Sequence, residues 1–360
     1  MEGFFCKTKI IIGAGSIAAL GKWNIQRLML VCDPFLRENG FAQAILRAAG
    51  EPEHLIFSQI TPDPAVTLAA QGTAAVKEFK PDMVVALGGG STMDAAKAMC
   101  YFSGLAPKLV AIPTTCGSGS EVTDFAILTH EGTKHPLVDE KLKPDVAIID
   151  RDLVASLPAP LVAEGGFDMV SHVLEAYVAT GHNCISDALA EHAFKIATQQ
   201  LLPAWEGNLN CRGYIHEAAT MAGIAFSQAG LGVCHAISHS IGGAFHTPHG
   251  RLNAILLPAV IEQNATCCGT RYAHLARHAG LSSGCESMAV RALKNTLSRM
   301  RRAMAIPDTL ADAGIDPRAL KEKLETIIDA ALADPCCATN PRTVDREMIR
   351  TIISEVSGRG

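Results

Sequence analysis

Between residues 9 and 150 the chain repeats one pattern, a short apolar run that stops at Gly, Asp or Pro. KIIIGAG, LMLVCD, MVVALGGG, LVAIPTT and VAIID are five such runs, each of strand length. Ala-rich stretches such as PAVTLAAQGTAAVKEF lie between several of them and read as amphipathic helices. Strand, helix and strand in repetition imply a parallel sheet covered on both faces. From about Pro158 the strand runs disappear, and segments such as DALAEHAFKIATQQLL and GCESMAVRALKNTLSRMRRAM take over. The prolines of SLPAPL mark the switch. The expectation is an α/β domain over residues 1–156 and an all-helical domain over 157–360.

Length agrees, because 360 residues exceed what one compact core usually holds. Hydrophobic residues make up 48% and charged residues 19%, which excludes a disordered chain. No apolar run approaches the roughly 18 residues of a membrane span, and MEGFFCKTKIII lacks the layout of a signal peptide. A net charge of −5 without a Lys/Arg stripe argues against nucleic acid as a partner. The twelve cysteines are scattered, apart from the pairs Cys267/Cys268 and Cys336/Cys337, and no CxxC occurs. Reduced thiols in the cytosol are expected.

Three glycine-rich turns follow strand runs. GAGSIAALG does not fit G-x-G-x-x-G and reads as an ordinary strand-to-helix turn. VVALGGGSTMDAAKAM has two readings. Its glycines and first helical amides suit a pyrophosphate; equally, Ser91 could be an N-cap with Asp94 in the first turn. AIPTTCGSGSEVT follows another strand and is rich in hydroxyls and glycines. Two such loops at strand ends of one sheet form the kind of crevice that binds nucleotides. Asp33, ending LMLVCD, is placed to accept hydrogen bonds from an adenosine ribose and to repel a 2′-phosphate.

In the helical half, Asp168 and His172 stand four residues apart in EGGFDMVSHVLEAYVAT and share a helix face. The segment GVCHAISHSIGGAFHTPHG adds His235, His239, His246 and His249. Asp168 and His172 can form half a tetrahedral metal site, which His235 and His249 could complete; a surface hydrogen bond is the plainer reading of the pair.

Together, GGGSTMDAAK, PTTCGSGSEVT, GGFDMVSHVLEAY and HAISHSIGGAFHTPHGRLNA resemble the iron-containing (group III) alcohol dehydrogenase family. The likeness runs from KIIIGAGS to TNPR at 339–342. SQITPDP, FSQAGLG and LAD…TNPR are similar, more narrowly, to its propanol dehydrogenase branch from bacterial propanediol-utilisation microcompartments. The resemblance implies a Rossmann-like NAD-binding domain followed by an all-α metal-binding domain, the architecture shared with dehydroquinate synthase. It implies that Asp168, His172, His235 and His249 hold one divalent ion, normally Fe(II), with Zn(II) equally compatible with the donors. His239 takes a proton-relay role, and His246, matching no ligand position, is structural. The dinucleotide contacts fall on Asp33, Asp63, Gly89, Gly90, Ser91, Asp94, Thr114, Thr115, Ser118 and Lys134. Departures from the family pattern are Cys116, Ser118, Phe167 and Arg251.

The implied activity is NAD(H)-linked interconversion of a short-chain primary alcohol and its aldehyde, propanol/propanal or ethanol/ethanal, running toward reduction to regenerate NAD. The same scaffold could oxidise a polyol such as glycerol or a 1,2-diol. A dehydroquinate synthase-type lyase would need several basic residues near the metal, where the motifs offer only Arg251 and the more distant Lys134. A non-catalytic nucleotide-sensing scaffold would be marked by loss of a ligand, and all four are present. Implied partners are a small aldehyde or alcohol, further copies in a homodimer or larger assembly, and a microcompartment shell or aldehyde-producing enzyme. The N-terminus offers no clear amphipathic address, so cytoplasmic residence inside or outside a microcompartment is expected.

Overall fold

The structure, a computed structural model, describes residues 4–130 and 133–358. The chain divides into two compact units, Phe5–Leu157 and the chain from Pro158 onward.

The first unit is built on strands β1 (Lys9–Ile12), β2 (Arg27–Val31), β3 (Glu53–Phe57), β4 (Met83–Gly88), β5 (Lys108–Pro113) and β8 (Val146–Ile149). They lie in the order β1-β8-β5-β4-β2-β3, and every neighbouring pair is parallel. β4 and β8 are buried along their whole length, as strands covered on both faces must be. Alternation assigns the faces. Leu28 and Leu30 join a core with Ile45, Leu46 and Ile148, whereas Met29 and Val31 join one with Met93, Met99 and Val76. The covering helices are α1 (Pro34–Glu38), α2 (Phe41–Ala48), α3 (Val66–Phe79) and α4 (Gly90–Ser103).

Three strands go beyond the five expected. β3 is an edge strand, and β6 (Phe125–His130) and β7 (Thr133–Val138) form a separate antiparallel ribbon. The GAGS turn behaves as an ordinary connection. The N–H groups of Gly15 and Ile17 donate to Asp150 at 3.0 and 2.9 Å, closing the ends of β1 and β8.

The second unit is helical: α5 (Ala159–Val178), α6 (Cys184–Trp205), α7 (Leu209–Ala229), α8 (Val233–Phe245), α9 (His249–His278), α10 (Glu286–Ala303), α11 (Pro317–Ala333) and α12 (Arg346–Val356). Asn183 and Ser186 form a reciprocal capping box at α6, and Asn208 and Asp345 cap α7 and α12. α5 is buried on nearly every side from Gly166 to Val178 and packs against α6, α7 and α9. The approach of α5 to α9 is set by backbone. A Cβ on Gly250 would stand 2.1 Å from the carbonyl oxygen of Glu164, so only glycine fits beside His249. All twelve cysteines are free thiols. Among the described residues no single helix is long and apolar enough to cross a membrane.

Candidate metal centre and dinucleotide cradle

In the helical unit, one turn of α5 carries Asp168 and His172, the first turn of α8 carries His235, and the first residue of α9 is His249. Their donor atoms converge. Asp168 Oδ1 lies 3.9 Å from Nε2 of His172, 3.9 Å from Nε2 of His235 and 3.4 Å from Nε2 of His249. Tetrahedral bonds of about 2.1 Å to one divalent ion would set neighbouring donors about 3.4 Å apart. Asp168, His172 and His235 bring their donor atoms within 4.8 Å of one another, and His249 Nε2 approaches the same carboxylate oxygen, so these donors can close on such an ion.

The surroundings hold the rings in place. His172 is sandwiched between Phe226 and His235, with ring centroids 4.4 and 4.6 Å away. His235 Nδ1 faces Glu175 Oε2 at 2.5 Å, and His249 Nδ1 faces Ser238 Oγ at 3.1 Å. Each ring thus turns Nε2 inward. Burial pushes His235 down to about 4, keeping the imidazole neutral, the form that ligates metal. Burial also pushes the Glu175 carboxyl up to about 7, against the pull of the backbone N–H groups of Cys234, Gly232 and His235. Asn253 Nδ2 donates to Asp168 Oδ1 at 2.9 Å and lies 3.1 Å from His249 Nε2.

His239, one turn after His235, stacks on His249 with centroids 5.0 Å apart and planes 13° from parallel. Its Nδ1 lies 2.8 Å from Asp334 Oδ2. Burial would raise the Asp334 carboxyl, but the hydrogen bond and charge of His239 outweigh it, with help from Cys336, and hold it down to about 2. His239, Asp334 and Cys336 place donor atoms within 4.8 Å of one another. His246 is exposed and ends α8 in the left-handed conformation, φ 55°, its N–H on Gly242 O. Arg251 donates to Glu164 through Nε at 3.0 Å and Nη2 at 2.6 Å.

In the α/β unit the sheet reverses direction between β2 and β4, since β2 leads outward to β3 and β4 leads the other way to β5. Ligands of open α/β sheets bind at the carboxyl ends of the strands at such a point. Asp33 follows β2 there, and Gly89–Ser91 follow β4. Gly89 is the N-cap of α4 and no side chain caps it; Ser91 lies inside the first turn. The capping alternative for Ser91 is therefore replaced by a bare helix N-terminus, which favours an anion. The second loop closes against this turn. A Cβ on Gly89 would meet Thr115 Cγ2 at 3.0 Å, and one on Gly90 would meet Ser118 Cβ at 3.1 Å. Thr114 N–H donates to Gly88 O at 3.0 Å.

The remaining expected contacts surround this cradle with definite partners. Asp33 Oδ1 accepts Leu36 N–H at 2.8 Å and caps α1. Asp63, at φ 52°, receives Lys134 Nζ at 2.6 Å, and its N–H donates to Ser91 Oγ at 3.3 Å. Asp94 acts as a brace, with Oδ1 accepting Ser120 Oγ–H at 2.8 Å and Oδ2 accepting Ile127 N–H at 3.1 Å. Beside it Lys97 Nζ donates to Ser120 Oγ, Thr123 Oγ1 and Phe125 O at 2.7–3.0 Å. Burial pushes this ammonium down to about 8, although Asp94, Glu121 and Asp124 pull it upward.

Sequence reasoning missed Glu175, Asn253, Asp334 and Lys97. Glu175 stands seven residues after Asp168 and Asn253 four after His249, so both were on the right helix face. Asp334 had no local signal, only its place in the LAD…TNPR likeness.

An α/β sheet with a bare helix N-terminus at its switch point, and one carboxylate and three histidines converging in the same chain, are the features expected of a metal-dependent nicotinamide oxidoreductase. Comparison with known proteins makes this specific. Residues 7–151 match the family described as iron-containing alcohol dehydrogenase, and residues 162–357 match the Fe-containing alcohol dehydrogenase family, C-terminal. The 1-propanol dehydrogenase PduQ of Citrobacter freundii is 39% identical over 99% of this chain and 100% of that protein. An NADPH-dependent butanol dehydrogenase of Clostridium saccharobutylicum is 35% identical, covering 98% of this chain and 97% of its own. The iron-containing alcohol dehydrogenase of Thermococcus thioreducens superposes with a TM-score of 0.92 at 31% identity, over 98% of this chain and 99% of that one. The chain belongs to the iron-containing alcohol dehydrogenase family and is an alcohol dehydrogenase, interconverting an alcohol and its aldehyde.

Proposed function

We propose that this enzyme interconverts a short-chain primary alcohol and its aldehyde with NAD(H), and that its working direction is aldehyde reduction. Asp168, His172, His235 and His249 would hold one divalent ion, Fe(II) as in the family, with Zn(II) compatible with the same donors. The convergence of three Nε2 atoms on Asp168 Oδ1 carries this reading. The two groups, when bound, supply Lewis-acid polarisation of a carbonyl and a transferable hydride.

The chain's own residues do the rest. Asp33 favours a free ribose 2′-hydroxyl over a 2′-phosphate by charge. Gly89, Gly90 and Ser91, with Thr114, Thr115 and Ser118, offer backbone and hydroxyl donors to a pyrophosphate. Asp63 and Lys134 tie the rim of that turn together, and Asp94 holds α4 to the second loop. His239, hydrogen-bonded through Nδ1 to Asp334, is left with Nε2 to take up or release the alcohol proton.

The lyase alternative lacks its cations, since Arg251 is paired with Glu164 and Lys134 with Asp63. Short linear substrates accord with the propanol and butanol enzymes among the relatives. A cytoplasmic homo-oligomer, working beside or within a microcompartment, is the setting we assign to it.

The test is NADH oxidation with propanal, ethanal and butanal by protein stripped of metal and reloaded anaerobically with Fe(II) or Zn(II). Restoration by either ion supports the reading. Reloaded protein that binds NADH but turns over only glycerol or 1,2-diols, or nothing, contradicts it.

A further inference from the structure

The helix that carries His235 begins without a local cap. Gly232, its N-cap, has no side chain to offer, and the first amides of α8 are met by two residues from far away in sequence. Val233 N–H donates to Asn340 Oδ1 at 3.2 Å, and Cys234 N–H donates to Glu175 Oε1 at 2.6 Å. Contact is close enough to exclude a side chain at Gly232, whose Cβ would lie 2.7 Å from both Glu175 Oε1 and Asn340 Oδ1. Glu175 is buried, 2% exposed, on the same helix as Asp168 and His172. It therefore links the helix bearing two proposed ligands to the one bearing the third. Its second oxygen, Oε2, lies 2.5 Å from His235 Nδ1.

The division of labour between the two oxygens matters. An ionised carboxylate has acceptors only, whereas a neutral imidazole has one donor nitrogen and one acceptor. With Oε1 on the Cys234 amide, the Oε2 of an ionised Glu175 can face Nδ1 only if Nδ1 carries the proton. Nε2 then keeps its lone pair, directed at Asp168 Oδ1 and the other two Nε2 atoms. We propose that Glu175 is a positioning residue that locks His235 in the metal-ligating tautomer before any metal arrives, with the α8 N-terminus keeping that carboxylate in register. The inference rests on the metal-centre reading above and adds the residue that prepares it.

Glutamine discriminates this role from simple packing. Its single oxygen can serve the Cys234 amide, but its NH₂ group then faces Nδ1 and demands an acceptor there. His235 would move its proton to Nε2 and present N–H to the metal. If the oxygen turned to Nδ1 instead, the Cys234 amide would face the NH₂ group and lose its acceptor.

The experiment uses full-length apoprotein with ¹⁵N-labelled histidine, above neutral pH, together with Zn(II) affinity by competition against a chromophoric chelator. In the wild type, the ¹⁵N spectrum should show His235 protonated at Nδ1, assigned by loss of its signals in His235→Gln. Glu175→Gln should move the proton to Nε2 and weaken Zn(II) binding about 10- to 100-fold, as for other partners of ligating histidines. A Glu175→Gln protein with lower Tm but unchanged tautomer and affinity overturns the proposal. Should that variant fail to fold, the wild-type spectrum alone decides, because an Nε2–H tautomer in folded apoprotein also overturns it. Wild-type protein that binds no Zn(II) would instead sink the metal-centre reading itself, so the two failures are distinguishable.

Discussion

Gly250 and Glu164 meet backbone to side-chain position: the place a Cβ would occupy on Gly250 is 2.1 Å from the Glu164 carbonyl oxygen. Gly250 follows His249, and Glu164 lies one turn before Asp168, so this contact sets how closely α9 can deliver its histidine to α5. Gly250→Ala must push the helices apart. A loss of about 1–3 kcal/mol is expected, as for other overpacked sites, together with weaker metal binding. Urea unfolding and Zn(II) competition measure the two effects; a variant that is unchanged in both would show that the α5–α9 approach is not limiting.

Lys97 and Asp94 together join α4 to the Ser120–Phe125 segment. Replacing the lysine by methionine keeps much of the volume but strands Ser120 Oγ, Thr123 Oγ1 and Phe125 O without their shared donor. Lys97→Met should loosen the second loop, raising the NADH dissociation constant roughly tenfold, about 1.4 kcal/mol. Zn(II) affinity should stay within error. Equal loss of both affinities would point to general unfolding instead.

Asp33 serves two purposes that one substitution can separate. Serine also caps helices well, so Asp33→Ser should keep the bond to Leu36 N–H and change stability by less than about 0.5 kcal/mol. Removing the negative charge should shift coenzyme preference toward NADPH by about tenfold, a charge–charge effect of roughly 1–2 kcal/mol at a partly exposed site. Fluorescence titration with both coenzymes measures the ratio. No change would remove Asp33 from coenzyme selection.

Asp334 makes stability depend on acid. Its folded-state carboxyl, held down to about 2 chiefly by His239 against the opposing effect of burial, lies below the ordinary 3.8. A lowered acid contributes stability that is fully present above about 4 and is lost as pH falls toward 2, here about 2 kcal/mol. Asp334→Asn should therefore lower unfolding stability by about that amount at neutral pH. The variant should also show a shallower loss between pH about 4 and 3. Parallel denaturant midpoints for variant and parent across that range would contradict it.

Much of this was readable in advance, for identifiable reasons. Four of the five apolar runs stand out because parallel strands buried on both faces need uninterrupted apolar residues; the fifth, β1, is a partly exposed edge strand whose Ile run is read from its composition. β3, EHLIF, begins with charged and polar residues and is only partly buried, so its pattern is diluted. In the β6–β7 ribbon, Pro136 sits within one strand, opposite Ile127, and proline demotes a run read from sequence. Asp168 and His172 could be paired by helix periodicity. Periodicity could not show that Glu175 and Asn253 belong with them, because Glu and Asn on a helix usually face water. The family resemblance puts Asp94 with the cofactor contacts; its bonds to Ser120 and Ile127 depend on how α4 packs, which spacing does not encode. Asp334 reaches His239 only through tertiary folding.

The proposed chemistry depends on one divalent ion held by Asp168, His172, His235 and His249. Anomalous diffraction at the zinc edge, on crystals of protein reloaded with one equivalent of Zn(II), tests it most directly. A single strong peak is expected, about 2.1 Å from Asp168 Oδ1 and from the three Nε2 atoms. A peak centred instead on His239, Asp334 and Cys336, or no ordered peak in either place, would contradict it.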